Sequence, residues 1–546
     1  MKRCAAPMLL TALAASICFL PRTNAAGFLR AQGEDVVDEQ GRKFLLRGVG
    51  LGNWLLPEGY MWRFGSEGDR PRKIEKLVSD LLGPQEAAKF WSEFRKQYIA
   101  QDDLKRIAEV GFNSVRVPLN ARLFLTEGEH AVYVDEGFEL LENVVRWCKQ
   151  AGIYAVIDMH AAPGGQTGAN IDDSANDQPE LFTNKANQDR LVGLWVKIAT
   201  RYKDEPAVAA YDLLNEPLPE RTGTAAKYKQ ELEPLYRRVT AAIRAVDKKH
   251  IITLEGADWA NEWSVFTTRF DDNLLYQFHY YCWDRPTRLH GIGQYLEHRK
   301  RLGAPIWVGE TGEKDNAIYW ATTDYFEANN VGWAFWPWKK MEARNAPCSI
   351  KSPEGWEAIA AYSRGGTNKP APAVAQKVLA QLLKNIRLEQ CVFFPDVVNA
   401  LFRRVPGRVE AEDYGHQGLN QSYFVKNSRQ ASKYYRQSEP VPVELIETGG
   451  SQRRSAQGIR LGAEEWTAYS VNSLEARSYE TVVRAKAESA PAVFELSLND
   501  HVQQQAVDGK GWVELKLKPA EFVAGPNRLT LRVKSGVACF DWAEFQ

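Results

Sequence analysis

The chain has 546 residues, more than one domain usually contains, and its 44% apolar content is enough to build a core in each of two domains. Lys and Arg together number 69, as do Asp and Glu, so the formal charge is zero and the composition argues against a nucleic-acid or membrane-surface partner. A neutral polysaccharide requires no such charge, and the many Trp, Tyr and Phe side chains suit the apolar faces of sugars, although most of them are expected in the core.

The first 26 residues have the pattern of a secretory signal peptide. Lys2 and Arg3 precede an apolar run at 8–20, and small residues follow before Gly27. The apolar run is too short to span a bilayer. The sequence therefore predicts export to the periplasm or the medium, with no membrane span.

Between residues 27 and 405, strand-like runs alternate with amphipathic helical stretches, and several helices end at a Gly just before the next strand. Eight strands are predicted, at 44–49, 113–117, 154–159, 209–214, 251–254, 275–278, 306–308 and 332–335. Eight such units are the number in a (β/α)8 TIM barrel. An open doubly wound sheet is the alternative, but no Gly-rich phosphate-binding loop follows the first strand.

The barrel is predicted to end near residue 405 and to be followed by an all-β domain at 406–546. The Pro-rich stretch at 370–372 does not mark the boundary, because an apolar helical face continues past it. That face consists of Val374, Val378, Leu382 and Ile386. From Arg408 onward, short alternating runs such as WTAYSV and NRLTLRV are separated by Gly, Asn, Pro and Asp, which is typical of an antiparallel jelly-roll β-sandwich.

Two glutamates each end an apolar, strand-like run. Glu216 ends the string YDLLNE, and Glu310 ends the string PIWVGE. Cleavage of a glycosidic bond needs one carboxyl group that protonates the leaving oxygen and another that stabilises or attacks the anomeric carbon. Because strand ends gather at one face of a barrel, the pair predicts a glycosidase site. The alternative is that each glutamate only caps its strand and faces solvent.

The ordered strand-end motifs resemble those of glycoside hydrolase family 5. They are RGVGLGNWLLPEG, NSVRVP, DMHAAPGGQ, LLNEP, FHYY, GE and GWAFWPWK, and the resemblance covers roughly residues 28–402. It implies Glu216 as acid/base, Glu310 as nucleophile, a covalent glycosyl-enzyme intermediate, retention of anomeric configuration and no cofactor. The two carboxyl groups are then expected about 5–5.5 Å apart, whereas inversion needs about 6.5–9.5 Å.

The same resemblance implies six substrate-binding residues around the glutamates, namely Arg116, His160, Asn215, His279, Tyr281 and Trp336. Arg116 is a permanent cation that would keep Glu310 ionised, and its alternative role is a strand-end ion pair. Asn215 is assigned to the substrate 2-hydroxyl. In an extended strand, however, it would point to the side opposite Glu216, and without the resemblance it is a turn residue.

The remaining side chains of this set are implied as walls and floor of the site. Histidines at strand ends are commonly structural, but the resemblance makes His160 and His279 donors to sugar hydroxyls or to the acid/base. Tyr281 is placed to hydrogen-bond the nucleophile, and Trp336 is implied as the stacking floor for the sugar in the −1 subsite. For six other aromatic residues on loops of this face, both core packing and sugar binding remain open: Trp54, Tyr60, Trp62, Trp259, Trp263 and Trp283.

The predicted substrate is a β-glucan or a short β-glucoside. The strings HAAPGGQTG and NWLLPEG resemble the exo-acting β-1,3-glucanase branch of the family, whereas Gly50 stands where family members often have Asn. Two other functions stay open. One is transglycosylation, in which a sugar acceptor replaces water, and the other is carbohydrate binding without catalysis.

Residues 408–546 resemble β-sandwich carbohydrate-binding modules of families 6 and 35, through the strings VEAEDY, EWTAY and FDWAEF. Such modules often bind sugar through loop aromatics and an Asn near the final strand, where this chain has Cys539. Trp512 is the remaining candidate for stacking on a sugar. Glu410 and Glu412 are candidate ligands of a structural calcium ion, and their alternative role is ordinary strand surface.

Five cysteines follow the predicted signal peptide, an odd and sparse number for an exported protein. Cys148 shares a helical face with Leu141 and Val145 and is expected in the core. Cys348 and Cys391 are candidates for a disulfide. No Cys or His spacing resembles a metal site, and no metal is predicted in the barrel.

Overall fold

A computed structural model of the chain describes residues 27–283, 289, 291–429, 432, 435–446 and 457–546. The predicted signal peptide lies outside the described residues. Within the described part, none of the helices combines the length and apolar character needed to cross a membrane.

Eight parallel strands close into a barrel in chain order, and the last strand pairs with the first. They are Arg47–Gly50 (β1), Ser114–Asn120 (β2), Tyr154–Ala161 (β3), Val208–Asp212 (β4), Ile251–Glu255 (β5), Leu274–Tyr281 (β6), Ile306–Gly312 (β7) and Gly332–Trp336 (β8). Nearly all of their residues are buried, because one face fills the barrel and the other lies against helices. The predicted TIM barrel and its eight strands are confirmed.

Helices surround this barrel. They are Pro71–Leu82 (α1), Pro84–Tyr98 (α2), Gln101–Glu109 (α3), Asp135–Ala151 (α4), Lys185–Tyr202 (α5), Thr224–Tyr228 (α6), Leu232–Arg244 (α7), Gly293–Leu302 (α8), Asn316–Ala328 (α9), Trp356–Ser363 (α10), Pro372–Asn385 (α11) and Pro395–Leu401 (α12). The helical face predicted after the Pro-rich stretch lies on α11. The prediction was wrong for Val374, which lies in the first turn of α11 and is half exposed, whereas its neighbour Ala375 is buried.

The amino-terminal end of the barrel is filled by apolar side chains. A hairpin of Arg30–Gln32 and Asp35–Val37 precedes β1, and Leu29 packs with Tyr154, Trp307 and other inward-facing residues of the strands. This packing leaves the carboxyl-terminal end of the barrel for a site. A small sheet of Lys339–Met341, Cys348–Ile350 and Val392–Phe393 follows β8.

The carboxyl-terminal domain is an antiparallel all-β sandwich. Its strands are Gly407–Glu410 (β9), Tyr423–Phe424 (β10), Val443–Leu445 (β11), Gln457–Gly462 (β12), Trp466–Ser473 (β13), Arg477–Leu498 (β14), His501–Val507 (β15), Val513–Phe522 (β16) and Gly525–Phe545 (β17). The long β17 pairs with β9, β12, β13 and β14. The predicted fold class is confirmed, and the predicted boundary at residue 406 falls between α12 and β9.

Helix α9 joins the two domains. Its Trp320 packs into the apolar core of the sandwich. In the connection after α12, Arg403 donates hydrogen bonds to Thr323 Oγ1 at 3.0 Å and to Glu327 Oε2 at 2.8 Å. Glu327 also accepts from Arg47 Nε of β1 at 2.7 Å. Apolar packing therefore crosses the domain boundary, and the ion pairs of Glu327 hold the connection that leads to it.

None of the five cysteines in the described part of the chain forms a disulfide. Cys148 is buried, as predicted. The candidate disulfide between Cys348 and Cys391 is not formed, since Cys391 Sγ instead lies 3.4 Å from the carbonyl oxygen of Arg387.

Candidate active site

The carboxyl-terminal end of the barrel contains a pocket of about 750 Å³. Six of the eight residues predicted for the site line this pocket: His160, Glu216, His279, Tyr281, Glu310 and Trp336. Arg116 and Asn215 are fully buried immediately behind them. The structure therefore brings all eight predicted residues together.

The two glutamates face each other across the pocket. One carboxyl oxygen of Glu216, one of Glu310 and a ring nitrogen of His279 all lie within 4.8 Å of one another. An oxygen–oxygen distance this short is consistent with carboxyl groups about 5–5.5 Å apart, the spacing expected for retention. Although these three groups could hold a cation, Arg116 Nη1 already lies 2.6 Å from Glu310 Oε1 and supplies the positive charge.

A bend at the end of β4 places two consecutive side chains in the site. Glu216 has a φ of +42°, in the left-handed region that a non-glycine residue rarely adopts. The bend ends the alternation of an extended strand, so Asn215 and Glu216 both point toward the pocket side. Gln166 Nε2 supports the bend by donating to the Asn215 carbonyl oxygen at 3.0 Å. The bent strand end removes the objection that an extended strand would separate them.

Arg116 lies on β2 and is the central cation of the site. Its guanidinium contacts four carboxylates at 2.6–3.2 Å, those of Asp158, Asp212, Glu255 and Glu310. It also donates to Asn215 Oδ1 at 2.8 Å. One cation does not neutralise four buried acids. Burial accordingly raises the pKa of Asp158 to about 8 and that of Asp212 to about 6, against the opposing effect of Arg116.

His279, on β6, shares a proton with the acid/base candidate. Its Nδ1 lies 2.6 Å from Glu216 Oε1. Burial opposes the charged imidazolium, but Glu255, Glu310 and Glu216 outweigh it and hold the pKa of His279 well above its ordinary value. Burial likewise works against ionisation of Glu216, yet His279 lowers the pKa of this carboxyl below its usual value. A proton is thus held in the His279–Glu216 hydrogen bond, next to the pocket.

Two donors hold the other glutamate in place. Tyr281 Oη donates to Glu310 Oε2 at 2.9 Å, while Arg116 holds Oε1. Burial raises the pKa of Glu310, and His279 and Arg116 oppose this rise. Because both oxygens accept hydrogen bonds, the carboxylate has a fixed direction toward the pocket.

His160, at the end of β3, orients Asn215. Burial lowers the pKa of His160 to about 4, so the ring is neutral near pH 7. Its Nδ1 lies 2.7 Å from Asp158 Oδ2 and its Nε2 lies 3.2 Å from Asn215 Nδ2. A neutral ring that donates from Nδ1 to Asp158 accepts from the Asn215 amide at Nε2, which turns the Asn215 oxygen toward Arg116.

Trp336 forms an aromatic wall whose position depends on Gly50. The indole stacks on His160 with ring centroids 5.5 Å apart and planes at 4°, and its Nε1 donates to Tyr60 Oη at 3.0 Å. A Cβ at Gly50 would lie 2.3 Å from Cε3 of this indole. The departure from Asn at position 50 therefore has a physical reason, since any side chain there would displace Trp336.

The six other aromatic candidates divide evenly. Tyr60, Trp259 and Trp283 line the pocket, and Trp283 is 58% exposed at its mouth while its ring stacks on Tyr281. The remaining three are buried in the barrel core and only pack: Trp54, Trp62 and Trp263.

Several acidic and polar residues of the site were missed from the sequence. Glu58 and Glu313 line the pocket, and Glu255 lies directly behind Glu216. A signal existed for Glu255, because it directly follows the predicted strand at 251–254 as Glu216 and Glu310 follow theirs. Glu58 and Glu313 lie in loops, where the sequence pattern indicates no direction for a side chain.

Comparison with known proteins identifies the barrel. Residues 83–342 match the family model of Cellulase (glycosyl hydrolase family 5). This stretch, just under half of the chain, is similar to glycoside hydrolase family 5. This stretch holds seven of the eight barrel strands and both Glu216 and Glu310.

Curated relatives of the family 5 domain are glycosidases by name. The chain is 32% identical over 257 residues to a β-xylosidase of Phanerodontia chrysosporium, covering 46% of this chain and 52% of the relative. It is 29% identical over 245 residues to a probable glucan 1,3-β-glucosidase A of Aspergillus fumigatus, covering 44% and 56%. The chain thus spans about half the length of these relatives.

Among solved structures, an endogalactoceramidase is similar with a TM-score of 0.46 and 17% identity, covering 92% of this chain and 99% of that one. A β-glucanase from Saccharophagus degradans in complex with cellotetraose has a TM-score of 0.40 and 16% identity, covering 67% and 96%.

Proposed function

We propose that the protein is a retaining β-glycosidase that cleaves β-linked glucan or a related β-glycoside. The observation that carries the proposal is the pair Glu216 and Glu310, with carboxyl oxygens within 4.8 Å, in the pocket of a family 5 domain. That separation suits double displacement rather than inversion.

In the first step, the Glu310 carboxylate attacks the anomeric carbon and the glycosidic carbon–oxygen bond breaks. Glu216 receives a proton from His279 across their 2.6 Å hydrogen bond and gives it to the leaving oxygen. In the second step, Glu216 takes a proton from water as the water oxygen bonds to the anomeric carbon and Glu310 leaves as a carboxylate. Buried Arg116 and Tyr281 stabilise that carboxylate whenever it is free.

The substrate proposal rests on the pocket walls and on the relatives. Trp336, Trp259, Trp283 and Tyr60 offer aromatic faces beside the glutamates, which suits stacking on the apolar faces of a β-linked sugar. The two curated relatives are named for β-xyloside and β-1,3-glucoside cleavage. A β-glucan or β-glucoside is therefore our first choice, and transfer to a sugar acceptor instead of water is the second.

Export and the role of the sandwich belong to the same proposal. The basic and apolar start of the sequence supports secretion or passage to the periplasm, where polysaccharide is available. The sandwich is proposed to bind carbohydrate. Glu410 and Glu412 are both buried, and Glu412 Oε2 has no hydrogen-bond partner. Hard carboxylate donors of this kind fit a structural calcium ion.

Replacing the nucleophile tests the mechanism. The Glu310→Ala variant should lose hydrolysis almost completely, because no covalent intermediate can form. Added azide should restore turnover of an activated aryl β-glycoside and give a glycosyl azide of inverted configuration, detected by NMR. Hydrolysis by Glu310→Ala at the wild-type rate would refute the double-displacement mechanism.

A panel of β-glucans, β-xylans and aryl β-glycosides, with product analysis, identifies the sugar. Wild-type protein that binds a glycan but releases no product from any member would favour the third candidate, a carbohydrate-binding protein without catalysis. Products longer than the starting glycan would indicate transglycosylation.

A further inference from the structure

We propose that Glu255, at the end of β5, is a positioning residue that fixes the acid/base Glu216 and ties it to Arg116. The inference rests on the proposed glycosidase function. Glu255 is fully buried and does not line the pocket. It therefore acts through its neighbours and not on the substrate.

Two N–H donors and a ring nitrogen, from three different parts of the barrel, face the Glu255 carboxylate. Its Oε2 accepts from the backbone N–H of Glu216 at 2.6 Å, and its Oε1 accepts from Arg116 Nη2 at 2.9 Å. His279 Nε2 lies 3.4 Å from Oε1. An ionised carboxylate offers only acceptors and matches this set of donors, so one side chain links the ends of β2, β4 and β6.

The contact with Glu216 lies at the strained point of the site. Glu216 adopts a φ of +42°, which a non-glycine residue keeps only where its surroundings hold it. The bend turns the Glu216 N–H out of the parallel strand pattern, and Glu255 is the acceptor that receives it. Without that acceptor, a buried N–H would be unpaired and the strand end would relax toward an extended form.

Glu255 is also one of three carboxylates that surround the His279 ring. Glu216 and Glu310 face Nδ1 of this ring, at 2.6 Å and 3.5 Å, whereas Glu255 faces Nε2. The charged or titratable groups that interact with Glu255 are Arg116, His279, Asp212, Asp158, His160, Tyr236 and Glu216. Removing the Glu255 charge should weaken the hold of His279 on its proton and so shift the alkaline limb of the pH–rate profile to lower pH.

The test is the Glu255→Gln variant, assayed on a β-glycoside with an unactivated leaving group. We expect kcat to fall on the order of 100-fold, because a small misplacement of a catalytic group costs about that much, with KM nearly unchanged. The double variant Glu255→Gln/Glu216→Gln should be little slower than Glu216→Gln alone, since both changes remove the same acid catalysis. The pH profile of Glu255→Gln should narrow on its alkaline side.

Glu233→Gln is the matched control. Glu233 is also buried, pairs with Arg237 and accepts a backbone N–H from Thr267, but it lies on α7 outside the pocket. It should leave kcat and the pH profile unchanged. Glu255→Asp, which keeps the charge but shortens the reach to Glu216, replaces Glu255→Gln in the measurements of kcat and of the double variant if Glu255→Gln fails to fold.

Two results would overturn the inference: wild-type kcat in the Glu255 variant, or losses that multiply in the double variant as they do for independent sites. A wild-type protein inactive on every glycoside would instead contradict the proposed function. The two failures are therefore distinguishable.

Discussion

At the residue scale, the state of Glu310 depends on its two hydrogen-bond donors. Burial alone favours the neutral carboxylic acid, which is a poor nucleophile. Arg116 and Tyr281 each hold one oxygen and favour the carboxylate. The tyrosine can be removed without leaving a buried charge unpaired, so it is the better position for measuring the contribution of a single donor.

The Tyr281→Phe variant should lose about 10- to 100-fold in kcat/KM, since a hydrogen bond to a charged group contributes about 1.5–3 kcal/mol. Steady-state kinetics on one aryl β-glycoside measures the loss. Tyr276 offers a control on the same strand, because its Oη is buried without a partner. Equal losses in Tyr281→Phe and Tyr276→Phe would show that the Glu310 contact contributes nothing specific.

At the element scale, α9 belongs to the barrel by sequence order and to both domains by contact. Its Trp320 packs into the sandwich core, and Glu327 pairs with Arg47 of β1 and Arg403 of the connection. A helix that contributes to two cores transmits the loss of one core to the other. We therefore expect the barrel and the sandwich to unfold as a single cooperative unit.

The Arg403→Ala variant should lower the free energy of unfolding by about 3 kcal/mol, because it removes a buried cation that pairs with Glu327 and Asp324 of α9 and leaves Arg47 as the remaining arginine on Glu327. Denaturant titration followed by tryptophan fluorescence measures the change. Arg477→Ala is a suitable control, since its ion pair with Glu475 is exposed and should contribute about 0.5 kcal/mol. A loss in Arg403→Ala no larger than in Arg477→Ala would contradict the role given to this contact.

The strands could be predicted from the pattern of apolar residues along the chain, and the two glutamates from their positions after those strands. Each barrel strand is a continuous apolar run, and residues directly after such runs must lie at one end of the barrel. The direction of Asn215 could not be predicted, since it depends on the bend at Glu216. The different environments of Tyr60 and Trp62 could not be predicted either. The two residues lie on one short turn, yet Tyr60 lines the pocket and Trp62 is buried in the core.

At the scale of the whole molecule, pH changes the free energy of unfolding through the ion pairs of Glu327, close to the domain boundary. Burial opposes ionisation of Glu327, but Arg403 and Arg47 outweigh it and lower the pKa of Glu327 to about 2, from an ordinary 4.5. The folded state therefore binds this proton less readily than the unfolded state. Stability from Glu327 is fully present above pH 4.5 and is lost as the pH falls toward 2.

Unfolding free energies measured from pH 6 down to pH 3 should show this loss. The wild-type protein should lose more stability than Glu327→Gln over that range, by roughly 2 kcal/mol, because pH 3 lies about 1.5 units below the ordinary pKa and each unit corresponds to about 1.4 kcal/mol. The Gln variant lacks the titrating group and serves as the reference. Parallel pH curves for the two proteins would show that Glu327 has an ordinary pKa in the folded state.

The contact between Gly50 and the indole of Trp336 limits how this pocket can be redesigned. The two positions share one space, which the indole fills. A larger residue at position 50 can enter only together with a smaller ring at position 336, and the change would also alter the support of His160. Libraries that vary these positions one at a time would therefore miss the productive combinations, whereas the exposed Trp283 can be varied alone.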